Sequence, residues 1–209
     1  MNVYLDGGCT MKNPVTRDRL KSLVFGWGIV IQDGEEQTEL FGSRSVNRDV
    51  RGLNHELIAF VEAALYLSSH GFQPEDVNFV TDDQLVVYGS QLGPWNGIGY
   101  AGFYNALVEA LEALEVAKLY KPEALLTAMH FIRYSRFHWV KGHHKCCLNL
   151  RCDYLAKISM HRVVFGSKRM MDFDEWSKVG YTAWNKAEAV NEQVYQPFCA
   201  TLGTLKEAA

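Results

Sequence analysis

The constraint that most narrows the fold is a change of hydrophobic period along the chain. Up to Ser45 the apolar residues come in short runs suited to strands, and from Leu53 onward they recur at spacings of three and four. Val3 to Leu5 is a short apolar run closed by Asp6-Gly7-Gly8, which predicts a strand ending in a turn. Residues 11–22 are polar and basic, include Pro14, and predict a loop. Val24 to Ile31 predicts a buried strand, Asp33-Gly34 a hairpin, and Thr38 to Ser45 a third strand. Three strands in succession with one tight connection make an antiparallel meander.

The later segments alternate in type. Leu53 to Ser69 predicts a helix with Asn54 as N-cap and Gly71 as stop, its apolar face being Leu57, Phe60, Val61, Ala64 and Leu65. Val77 to Thr81 predicts a buried strand, followed by a helix from about Asp83 to Gln91. Gly93-Pro94, Gly97 and Gly99 mark a loop. Helices are then expected over 101–119 and from Pro122 to about Tyr134, a strand over Phe137 to Val140, and a helix over Asn149 to Val164. Strands linked through helices should lie parallel beside the first strand, so the expectation is an α/β fold with a mixed sheet flanked by helices.

Bulk properties exclude several classes. At 209 residues, 48% hydrophobic and 22% charged, the chain has material for one sizeable core. No apolar run approaches the ~18 residues of a membrane span. Met1 to Asp6 has neither a basic start nor a long apolar stretch, so no signal peptide is expected there. Five cysteines, an odd number, suit a reduced cytoplasmic chain with free thiols. The net charge of −3 does not by itself suggest nucleic acid, but bound divalent cations would supply positive charge locally.

Four acidic residues stand where a metal site would be built: Asp6 after the first strand, Glu56 in a helix first turn, Asp82 directly after a buried strand, and Asp153 one turn into the last helix. Singly, each reads as well as a turn residue, a helix-dipole partner or a cap, and Asp82-Asp83 could be capping alone. Together they offer the oxygen ligands that hard cations prefer, beyond strand ends where ligands collect.

The blocks Asp6-Gly7-Gly8-Cys9, Asn54-His55-Glu56-Leu57, Thr81-Asp82-Asp83-Gln84, and Trp139-Val140-Lys141-Gly142-His143 followed by Asn149-Leu150-Arg151-Cys152-Asp153 resemble the type 1 ribonuclease H family over about residues 1–164. The spacing from Lys141 to Asp153 matches the family's without gaps. The resemblance implies a ribonuclease H-like mixed five-stranded sheet, three strands antiparallel and two parallel, and an endonuclease that cuts the RNA strand of RNA–DNA hybrids. Asp6, Glu56, Asp82 and Asp153 would then coordinate two Mg²⁺ or Mn²⁺ ions about 3.5–4 Å apart, to activate water and stabilise the leaving 3′ oxygen. His143 would assist proton movement or product departure, its other reading being a surface-loop histidine. Asn13, Arg17, Arg19, Gln84 and Lys141 are the candidates for substrate contact.

The chain departs from the family in places. Lys12-Asn13-Pro14 and the basic Arg17, Arg19 and Lys21 replace a glycine-rich loop, and Gly52-Leu53 replaces an asparagine pair before Glu56. Both changes bear on recognition of RNA 2′-hydroxyls. Where some relatives carry a basic protrusion, the helix over 101–119 has Glu109, Glu112 and Glu115 on one side, so hybrid binding should fall to the basic loop and to Lys141 and Lys145. Trp95 is expected in the core or stacked on a base. His143, His144, Cys146, Cys147 and Cys152 do not repeat as zinc-site pairs do, and the family fills the position of Cys152 with a packing cysteine. Residues 165–209 lie outside the resemblance. Trp176, Tyr181, Trp184, Tyr195 and Phe198 predict a helical, aromatic-rich extension packed on the core or on a partner. Two other functions fit these residues: a non-catalytic interaction module on the same fold, and a related nuclease of different substrate preference.

Overall fold

The computed structural model describes residues 1–12, 19–47, 53–91, 101–142 and 146–165. The expectations for Asn13, Arg17, Trp95, His143, His144, Lys145 and the segment from 166 onward lie outside these residues. Among the described residues, β1 (Asn2–Lys12), β2 (Arg19–Asp33) and β3 (Glu36–Asn47) form an antiparallel meander. Gly34 turns the β2–β3 hairpin at φ +60°, a left-handed conformation that glycine adopts without strain. Next come α1 (His55–Ser69), a 3-10 turn at Pro74–Asp76, β4 (Asn78–Thr81), α2 (Gln84–Gln91) and α3 (Ala101–Val116). The order closes with α4 (Pro122–Tyr134), β5 (Arg136–Trp139) and α5 (Cys147–Phe165). The sheet order is β3-β2-β1-β4-β5, with β4 parallel to β1 and β5 parallel to β4.

Three expectations are corrected. Asp6-Gly7-Gly8 is not a turn but the middle of β1, which stays paired with β2 through Cys9↔Phe25 and beyond. The glycines are there because helices press on both faces. A Cβ on Gly7 would lie 2.2 Å from the His55 carbonyl oxygen at the start of α1, and one on Gly8 would lie 2.9 Å from Met160 of α5. The expected loop over 11–22 is shorter, because Lys12 and Arg19 already pair across β1 and β2. Finally, β5 lies beside β4 rather than β1, since β2 already occupies the other side of β1.

The face of the sheet that meets α1 holds the main core. Phe60 of α1 packs edge-on against Phe79 of β4 at 4.9 Å, and Phe79 stacks on Phe137 of β5 at 5.2 Å. Such aromatic pairs contribute about 0.5–1.5 kcal/mol beyond their buried area. The opposite face meets α5. Cβ atoms on Gly26 and Gly28 of β2 would stand 2.1 and 2.2 Å from the Ala156 and Cys152 carbonyl oxygens, so helix and sheet meet main chain to main chain. Cys152 is fully buried there, against Val30 and Leu155, as a packing residue. Arg151, 4% exposed, donates through Nε and an Nη to both Glu39 carboxylate oxygens at 2.9 and 2.8 Å, tying α5 to β3.

Candidate metal centre

Asp6 is carried past the last rung between β1 and β4, which is Tyr4↔Val80. Asp82 follows β4 directly, and Glu56 sits in the first turn of α1. The three carboxylates converge there, one oxygen from each lying within 4.8 Å of the others. Asp153 is in α5, 6% exposed and close enough to Asp6 for its charge to raise the Asp6 pKa. The other sequence candidates are spread out. Gln84 opens α2 and is exposed, Lys141 is exposed in the turn after β5, and Arg19 begins β2.

Caps bring these elements together. The Asn54 side-chain oxygen accepts from Leu57 N–H at 3.1 Å, and its amide donates to Asp83 Oδ2 at 2.8 Å. The other Asp83 oxygen accepts from Val86 N–H at 3.0 Å. One pair of short side chains thus closes the N-termini of α1 and α2 and joins the segments bearing Glu56 and Asp82. Asp83 is the capping residue, and Asp82 is left to face the cluster. Glu56 Oε2 accepts from Gly7 N–H at 2.7 Å, while its Oε1 lies 3.4 Å from His55 Nδ1. Trp139, at the end of β5, donates its indole N–H to the Asp82 carbonyl at 3.0 Å. The turn after β5 also leans on Asp82: a Cβ on Gly142 would sit 2.0 Å from Asp82 Oδ2. Of these supports only the Asn54 cap is visible in a spacing rule. Trp139 and Gly142 act through contacts between distant segments, and His55 acts on its immediate neighbour Glu56.

The electrostatics suit a cation. Burial, then repulsion from Glu56, Asp153 and Asp82, holds the Asp6 carboxyl well above the usual carboxylate range. Burial likewise pushes Glu56 up to about 7, partly opposed by His55. Interaction with Glu56 raises the His55 imidazole in turn. Among the described residues, the group able to hold a metal consists of carboxylates, with no cysteine or histidine in it. An all-oxygen donor set with excess negative charge fits a hard divalent cation rather than zinc.

A pH dependence follows. Glu56 has an ordinary pKa of 4.5 and one of about 7 in the metal-free fold. Between those values the folded chain keeps a proton that the unfolded chain has released. Stability therefore falls as pH rises through that window, and the penalty is absent below it. Thermal and urea unfolding in chelator should show the metal-free protein less stable at pH 8 than at pH 5 by about 3 kcal/mol. Divalent cation at pH 8 should restore the loss. A metal-free stability that rises across this window would contradict the electrostatics.

No family model matches the sequence. Individual relatives do. A ribonuclease H of Prosthecochloris aestuarii is 30% identical over 155 residues, covering 74% of this chain and 91% of its own length. One of Geotalea uraniireducens is 29% identical over 161 residues, covering 77% and 93%. One of Ralstonia nicotianae is 31% identical over 158 residues, covering 75% and 88%. About three-quarters of the chain is thus accounted for by likeness to nearly whole relatives, and the chain belongs to the ribonuclease H family.

Proposed function

We propose that the chain is a metal-dependent endonuclease that hydrolyses the RNA strand of RNA–DNA hybrids with two Mg²⁺ or Mn²⁺ ions. The observation that carries this reading is the convergence of Asp6, Glu56 and Asp82 within 4.8 Å. When bound, the ions would supply activation of water and neutralisation of charge at the leaving 3′ oxygen. Asp6, Glu56, Asp82 and Asp153 would hold them. Gly7 N–H holds Glu56 Oε2, His55 Nδ1 lies 3.4 Å from the other oxygen, and Trp139 anchors the main chain of Asp82, so the ligands are oriented before substrate arrives. Lys141 and Gln84, both exposed, are the described candidates for contact with the hybrid. Asn13, Arg17 and Arg19 are further candidates for that contact, and His143 would carry a proton. Glu109, Glu112 and Glu115 are exposed on α3, and that face would repel phosphates. Among the described residues no helix is long and apolar enough to cross a membrane. The free thiols Cys9, Cys146 and Cys152 support a reducing cytoplasmic setting.

The test is cleavage of sequence-matched RNA–DNA hybrid, double-stranded RNA and DNA duplex, each with Mg²⁺ and with Mn²⁺. Cuts confined to the RNA of the hybrid are expected. Faster cleavage of another duplex would overturn the substrate assignment, and binding without cleavage of any of them would favour an interaction module.

A further inference from the structure

Asp153 carries its own cation. Its Oδ2 lies 2.5 Å from Lys157 Nζ, one turn further along α5. The two side chains are only 8% and 22% exposed, so solvent and salt screen the pair weakly. An acid placed four residues before a lysine is also the favourable orientation on a helix. Asp153 does not join the group in which Asp6, Glu56 and Asp82 offer oxygens to a common point.

We propose that Lys157 is a positioning residue that acts through Asp153 as an internal counter-ion, so that the three-carboxylate group takes a first divalent cation and a second is admitted only as the ammonium is displaced. The inference rests on the metal-dependent reading above. An ammonium and a divalent cation compete for the same carboxylate lone pairs. Lysine suits this role because its charge sits on a flexible four-carbon stem, which can lie along α5 and deliver the head to water. The partial exposure of Lys157 leaves that exit open. The affinity for the second ion is then set by a competition within the chain and not by the ligand count alone.

The test is Mn²⁺ titration of the full chain without nucleic acid, by calorimetry and by electron paramagnetic resonance of the free ion. Wild type should show one tight event and one weak one. Lys157→Met should tighten the weak event by roughly tenfold, the equilibrium equivalent of one charge-assisted hydrogen bond, and shift the tight event by less than about twofold. Lys157→Gln serves if the methionine variant fails to fold, with melting in chelator as the check. Lys157→Arg should keep the weak event weak, and Asp153→Asn should remove it. A weak event unchanged in Lys157→Met and Lys157→Gln overturns the proposal but not the metal reading. So does equal tightening of both events, as simple loss of a positive charge would give. Absence of Mn²⁺ binding in wild type overturns both.

Discussion

Asp6→Asn is expected to lower hybrid cleavage by about 10³-fold or more while making the metal-free protein more stable. The two effects share a cause. Asp6 is 4% exposed, and burial and three neighbouring carboxylates all oppose its ionisation. A neutral amide of the same shape removes that opposition, which should stabilise the empty fold at neutral pH. The same change removes a charged oxygen from the cluster that would hold the ions. Cleavage assays against a diluted wild-type control, paired with denaturation in chelator, read both effects. Activity within tenfold of wild type would remove Asp6 from the site. A loss of both activity and stability would mean the side chain serves the fold instead.

Gly7→Ala should be severely damaging although the residue has no side chain to contribute. The added methyl would lie 2.2 Å from the His55 carbonyl oxygen and 2.9 Å from Glu56 N, both main-chain atoms in the first turn of α1. No rotamer change can relieve that, so β1 and α1 must separate. We expect a loss of about 3 kcal/mol or more in stability. Cleavage by the folded fraction should fall by about 10²-fold, because Glu56 is carried away together with its bond to Gly7 N–H. Urea unfolding and cleavage under conditions where the variant is folded separate the two losses. A variant within 1 kcal/mol of wild type would show that the helix start is not seated on this strand.

The parts of the molecule legible in the sequence were those written in local rules. The period change from β1–β3 to α1, the Asn54 cap, the Gly34 hairpin and the Pro122 helix start all depend on neighbours a few residues away. The four acidic candidates were legible as a set, and three of them, Asp6, Glu56 and Asp82, bring their oxygens within 4.8 Å of one another. Asp6-Gly7-Gly8 misled because local turn chemistry and close helix packing both call for glycine, and only the tertiary fold says which applies. The place of β5 outside β4 was likewise hidden, since a helical crossover specifies parallel pairing but not which neighbour. Lys157 looked like any helix lysine, and Trp139 like a strand residue. The Asp153–Lys157 pair is itself a local i,i+4 spacing, but what it bears on is visible only once α5 lies on the sheet, as the bond of Trp139 is only once β5 ends beside Asp82.

The seam between α5 and β2 has a consequence for how this protein can vary. Helix height above a sheet is ordinarily set by side-chain bulk, so each change of volume is felt as a displacement of the helix. Here the standoff is set by carbonyl oxygens of Cys152 and Ala156 against Gly28 and Gly26. Substitutions at Leu155 or Ser159 would therefore alter packing energy while leaving the reach of Asp153 toward Asp6 nearly unchanged. Two positions of β2 that bear only a hydrogen thus act as the gauge for the acidic residue of α5.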